Sequence, residues 1–221
     1  NKLNKLNKLN KINKLNKLNV ADNQLKHIPV ALQGLREVKI MNISGNPIFR
    51  LKKVADSGGI MSSVTELYVT GTTMTEVAED DIDLCPNLET LHLNDNRILL
   101  LQDNAFKSLN KLQDLDVSGN FLARLPGPAL IGLTSLKTFN LSRNRLNQLD
   151  IFPTDLAELK ILDLSFNEIG ALEAKSFHYL INLVKLDLKS NNSKCTREPC
   201  WLTSGIWEPQ ANVLARPIIT Q

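Results

Sequence analysis

The residues able to do chemistry are few in this 221-residue chain, and they are scattered. There are three histidines, His27, His92 and His178, and three cysteines, Cys85, Cys195 and Cys200. Nucleophilic catalysis needs a Ser or Cys beside a base that a third group orients, and none of the three histidines stands in such wording. A structural zinc site needs four Cys or His ligands in closely spaced pairs. Cys195 and Cys200 have four residues between them and no His pair nearby, so they cannot supply one. Phosphate-cradling G-x-x-x-x-G-K-[ST], dinucleotide-type G-x-G-x-x-G and zinc-hydrolase H-E-x-x-H strings do not occur. The sequence therefore predicts no catalytic residue, no metal ligand and no cofactor. What remains is recognition chemistry: carboxylates, amides and an occasional aromatic ring, which only a scaffold can gather.

That scaffold is written in leucine and asparagine. Leu occurs 39 times and Asn 24 times, whereas aromatics make up 5% of the chain. The formal charge of +3 misleads, because residues 1–18 carry six Lys and no acid and leave 20 basic against 23 acidic residues in the rest. No basic footprint for a nucleic acid is left. No stretch approaches the ~18 consecutive apolar residues of a membrane span, and no segment reads as a signal peptide. The chain begins at Asn1, which suits a mature chain or a fragment. Residues 1–18 repeat NKL six times, with Ile12 as the one variation. A period of three matches neither helix nor strand, so residues 1–14 are read as a low-complexity tract ahead of the folded array.

From Leu15 onward one template, L-x-x-L-x-L-x-x-N-x-L, recurs almost end to end. Its Asn position falls at Asn23, Asn46, Thr72, Asn96, Asn120, Asn144, Asn167 and Asn191, at spacings of 23 to 26 residues. Within x-L-x-L-x, alternate side chains face opposite sides of a short strand. Parallel strands of successive repeats then stack, and each repeat covers its neighbour's apolar face. The Asn stands where the chain leaves the sheet, so its amide can satisfy turn groups that would otherwise be stranded. Thr72 offers one donor where an amide offers two, which predicts a weaker ladder at that repeat. The interval Pro47–Val64 is the irregular one, with Ser57-Gly58-Gly59 inserted, and is read as a bulge on the return side. Leu35, Met61, Cys85, Leu109, Leu133, Leu156 and Leu180 align as a core column, and Leu32, Ile82, Phe106, Leu130 and Phe177 as another. Cys85 is thus expected to be a buried thiol acting as a small hydrophobe.

The return segments Asp103-Asn104-Ala105-Phe106-Lys107-Ser108-Leu109 and Ala174-Lys175-Ser176-Phe177-His178-Tyr179-Leu180 resemble the "x-x-A-F-x-x-L" wording of extracellular animal leucine-rich repeats. Toll-type receptors, Slit-like guidance proteins and small matrix proteoglycans use it. The resemblance covers about residues 15–192 and implies an α/β solenoid. Such a fold has a curved parallel sheet on its concave face and irregular, short helical or 3-10 segments on its convex face. It implies an extracellular location in preference to a cytosolic one. It also implies a C-terminal cap over residues 193–221, with Trp201 and Trp207 as an apolar lid and Cys195 bridged to Cys200. The family cap normally carries four Cys beginning C-x-C, so this cap is unusual or truncated.

A repeat array without catalytic wording offers a surface. The residue between the two inward apolar positions is expected mid-strand on the concave face, giving the row Asn19, Asn42, Tyr68, His92, Asp116, Asn140, Asp163 and Asp187. With strands ~4.8 Å apart, Tyr68, His92 and Asp116 should be contiguous, with Glu66 and Asp114 one pleat away. This acidic, mildly aromatic centre is the predicted contact for a protein or peptide partner; homo- and hetero-oligomers are both compatible with it. The other reading of the chain is a structural repeat subunit or cytosolic scaffold packed within a larger assembly. Sequons stand at Asn42, Asn140 and Asn191. Asn42 and Asn140 are expected to point outward as acceptors, and Asn191, a ladder residue, to be unavailable.

Overall fold

In the computed structural model the described residues are 15–29, 32, 35–51, 60–170, 172–191 and 218–220. The NKL tract up to Lys14, the Ser57-Gly58-Gly59 insertion, Cys195, Cys200, Trp201 and Trp207 lie outside them. Each repeat contributes one three-residue strand: β1 (Lys17–Asn19), β2 (Ile40–Asn42), β3 (Glu66–Tyr68), β5 (Thr90–His92), β7 (Asp114–Asp116), β8 (Thr138–Asn140), β9 (Ile161–Asp163) and β10 (Lys185–Asp187). All pair in parallel and in one register, so that Leu18, Met41, Leu67, Leu91, Leu115, Phe139, Leu162 and Leu186 face their counterparts across the sheet. These central residues are buried, and their two strand neighbours are partly or fully exposed. The period-two pattern thus does what it must in a sheet with one covered face. A ninth strand, β11 (Ile218–Thr220), pairs with β10 and extends the sheet from the C-terminal segment.

Two details differ from the sequence reading. The row expected mid-strand, Asn19 to Asp187, forms the last residue of each strand, because the strand centres on the apolar residue before it. In addition, the return side carries a second small sheet, β4 (Glu76–Val77) with β6 (Leu100–Leu101), beside the expected 3-10 turns at Gly127–Leu130, Thr154–Glu158 and Ala174–Phe177. No helix among the described residues is long and apolar enough to cross a membrane.

Both predicted core columns are buried, including Cys85, a free thiol pushed up to about 12 by burial. The one-residue-shorter return before Leu159 leaves no column residue at Pro153. Phe152 fills the space instead and packs against Phe177 with ring centres 5.8 Å apart.

The asparagine ladder runs between repeats and is interrupted only at Thr72 among the described residues. Asn120 Nδ2 donates to the carbonyls of Leu93 and Val117 (both 3.0 Å), and its Oδ1 accepts from the Ile98 amide of the preceding repeat at 2.9 Å. Asn46, Asn144, Asn167 and Asn191 repeat this scheme. Thr72 breaks it in the expected way. Its hydroxyl and its backbone amide both donate to Asn96 Oδ1 at 2.6 Å, so the Met74 amide is left with Thr72 Oγ1 at 3.4 Å. The residue preceding each ladder position has positive φ in every repeat: Asp22, Gly45, Gly71, Asp95, Gly119, Arg143, Phe166 and Ser190. This left-handed step turns the ladder side chain inward.

Among the described residues, Gly132, at φ +95°, is the tightest glycine on the return side. A Cβ there would meet the Lys107 carbonyl oxygen at 2.5 Å and Lys107 Cα at 2.6 Å. Because backbone cannot yield as a side-chain tip does, Gly132→Ala should cost about 2–3 kcal/mol from strain and overpacking. Urea denaturation would check this, and a midpoint like that of the parent chain would contradict the close approach.

Candidate functional site

The five residues predicted for the concave contact do come together. Register sets Glu66, Thr90 and Asp114 on three successive strands, and Tyr68, His92 and Asp116 likewise, so that Thr90 and His92 are the middle members. The Tyr68 and His92 rings stack with centres 4.8 Å apart and planes 20° from parallel. The Tyr68 hydroxyl donates to Glu66 Oε2 at 3.2 Å. Burial and this bond to a carboxylate both hold the Tyr68 phenol above its ordinary value.

The rest of the row has a second occupation that sequence reasoning missed. In Asn19, Asn42, Asp116, Asn140, Asp163 and Asp187 the side-chain Oδ1 accepts the backbone amide two residues on, at 2.8–3.1 Å. These residues brace the turn that begins the ladder, which is why Asn and Asp recur there. Asn140 Nδ2 also donates to Asp116 Oδ2 at 3.2 Å. Tyr68 and His92 are the two members of the row whose side chains cannot make the brace, and they are the two that stack. The sequon residues Asn42 and Asn140 are half-buried with their amide oxygens engaged. Asn191 is also half-buried, with its amide donating to Leu164 and Leu188.

Asp114 carries a cost. Burial and the neighbouring Asp116 push its carboxyl above the ordinary aspartate value, while His92 pulls it back. A carboxyl raised in the folded state opposes folding at neutral pH, and the opposition is relieved as pH falls through the folded value. Asp114→Asn should therefore raise the melting temperature at pH 7 and give no gain near pH 3, where both states are protonated. Scanning calorimetry at the two pH values checks it, and a loss of stability at pH 7 would contradict the assignment.

Two polar arrangements outside the row were also not read from sequence. Arg50 Nε lies 2.9 Å from both oxygens of Asp81, a fully buried carboxylate, and its Nη1 lies 2.7 Å from Glu76. Arg143 and Arg145 stack on the exposed rings of Phe166 and Phe121. No group of His, Cys, Asp and Glu able to hold a metal ion occurs among the described residues.

One-register parallel strands, an inter-repeat asparagine ladder and a 23- to 26-residue period define a leucine-rich repeat solenoid. The family described as Leucine rich repeat matches residues 86–146 and 150–196, and the chain belongs to it, with repeats of the extracellular type. It is 29% identical over 167 residues to podocan of Mus musculus, covering 64% of this chain and 26% of that protein. It is 30% identical over 163 residues to human leucine-rich repeats and immunoglobulin-like domains protein 1, covering 73% and 15%. The crystal structure of the TLR13–ssRNA13 complex superposes with a TM-score of 0.75 at 31% identity, covering 81% of this chain and 26% of that one. The chain thus spans about a quarter or less of these relatives. Kinship of this kind marks a protein-interaction repeat module, although similar arrays also form part of multidomain enzymes.

Proposed function

We propose that this chain is a non-enzymatic recognition module, extracellular or at the cell surface, that binds a protein or peptide through the concave patch of Tyr68, His92, Asp116, Glu66 and Asp114. The observation that carries this reading is the Tyr68–His92 stack, set in the two row positions released from turn bracing. Aromatic rings supply contact area at low entropic cost, and the carboxylates around them suit cationic side chains of a partner. An RNA ligand is disfavoured on this face, because its phosphates would meet Glu66, Asp114, Asp116, Asp163 and Asp187. In this reading residues 15–192 are the array, 1–14 precede it, and 193–221 close its end with Cys195 bridged to Cys200. Asn42 and Asn140 carry glycans that flank the patch.

A photo-reactive phenylalanine analogue at position 68 or 92, in chain added to cells, should give a cross-linked adduct. The same probe at the exposed return-side Glu158 should give none. Equal adducts from all three positions would remove the concave assignment. Glycopeptide mass spectrometry of natively secreted chain tests the location. Bare sequons with free thiols would favour a structural subunit or cytosolic scaffold within a larger assembly.

A further inference from the structure

The turns of the fifth, sixth and seventh repeats carry a second surface of opposite character. Ladder residue Asn144 is buried, but Arg143 and Arg145 on either side of it are exposed. The Arg143 guanidinium carbon lies 4.9 Å from the ring centre of Phe166, and that of Arg145 lies 4.7 Å from the ring centre of Phe121. Phe166 is 49% exposed and Phe121 37% exposed, so neither ring is a core residue that happens to surface. The tripeptide Arg143-Asn144-Arg145 joins the two stacks into one strip, and Arg97 stands at the position corresponding to Phe121 and Arg145 one repeat earlier. Asp95 and Glu168 are acids at corresponding positions of neighbouring repeats. Asp95 Oδ2 is engaged by Asn94, and neither Arg143 nor Arg145 forms an ion pair among the described residues.

Two of these side chains stand on backbone that favours glycine. Arg143 has φ 55° and Phe166 φ 54°, at the ladder-preceding position that Gly45, Gly71 and Gly119 or the shorter Asp22, Asp95 and Ser190 occupy elsewhere. A bulky residue in this region is strained and persists where something else favours it. Core packing does not, since Arg143 is exposed and Phe166 is half-exposed. A guanidinium stacked on a ring is pre-organised. One of its faces is held while its N–H edge stays free for two parallel bonds to a carboxylate.

We infer that the strip Phe121–Arg145–Arg143–Phe166 is a second docking surface and that it takes an acidic, aromatic-bearing peptide segment of a protein partner. Carboxylates of the segment pair with Arg143 and Arg145, and its ring packs against Phe121 or Phe166. Three arginines are too few to hold a nucleic acid backbone against the acidic concave face. The inference is independent of the concave patch, and a partner could engage the two surfaces with segments of opposite charge.

The test uses the full 221-residue chain and a fluorescein-labelled peptide of alternating Glu and Phe, with an alternating Lys and Phe peptide and a mixed-sequence single-stranded RNA as comparators. The Glu–Phe peptide should bind, weaken as salt is raised, and lose about tenfold or more in affinity on Arg143→Glu with Arg145→Glu. Phe166→Gly relieves the backbone, so it should preserve or raise the melting temperature while weakening the peptide several-fold. A merely structural role would not produce that split. Tyr68→Ala, on the concave face, should leave this binding unchanged. Preference for RNA or for the Lys–Phe peptide, no binding, or equal binding by the arginine and Phe166 variants would overturn the inference.

Discussion

Asn120→Ala should cost roughly 1–3 kcal/mol, because it orphans a buried backbone amide and strips a donor from two buried carbonyls. The Ile98 amide loses its acceptor, while the Leu93 and Val117 carbonyls each lose one of two donors and keep the side-chain amides of Asn96 and Asn144. Water cannot replace it, since Asn120 is 4% exposed amid a closed core. Asn110→Ala is the control. Asn110 is exposed, and only its backbone carbonyl is engaged, accepting from the Thr134 and Ser135 hydroxyls, so substitution there should change stability by less than about 0.5 kcal/mol. Urea unfolding of the two variants decides the matter, and equal effects would mean that the ladder does not hold the repeats together.

Arg50→Ala should be of similar size, about 2–4 kcal/mol, for an electrostatic reason. Asp81 is fully buried and keeps only the Ala78 amide, at 2.9 Å, once the guanidinium is gone. A buried carboxylate stripped of its cation is far more costly than the intact pair is stabilising. Arg50 is about a quarter exposed, and solvent screening trims the figure. The double change Arg50→Ala with Asp81→Ala should therefore be milder than Arg50→Ala alone. Repeat stability is nearest-neighbour in character, so hydrogen exchange should quicken first around residues 40–82 and last around β9 and β10. Uniform quickening, or a double variant worse than the single, would show that the pair is not the local clamp.

The fold was largely legible because a solenoid writes its register into the spacing. Once Asn46, Asn96, Asn120, Asn144 and Asn167 align, the strands and both core columns follow without any long-range guess, although each strand centres one residue before the expected position. Tyr68, His92, Asp116, Glu66 and Asp114 were legible as neighbours for the same reason. The second employment of Asp116 was not: a brace to the amide two residues on depends on the strand ending one position earlier than alternation alone suggests. Arg50 with Asp81 escaped as well, because the two lie 31 residues apart and meet across the irregular second interval, where the period slips. The Arg–Phe stacks had a readable signal. Aligning the residues that flank each ladder Asn would have set Arg145 beside Phe121 and Arg143 beside Phe166.

The direction of the ladder has a consequence for how the chain is made. Each amide side chain reaches backward, so the turn of one repeat is completed only by the Asn of the next, as Ile98 waits for Asn120 and Leu122 for Asn144. On a ribosome the array emerges from its N-terminal end, and its growing tip always holds one unfinished turn. Folding must then trail synthesis by a full repeat, about 24 residues. A pause in translation just after a strand would leave a raw edge, with unpaired strand groups and an open turn together. The Thr72 repeat lengthens that lag, since it cannot finish the turn before it and Ile48 must settle for the carbonyl of Asn46.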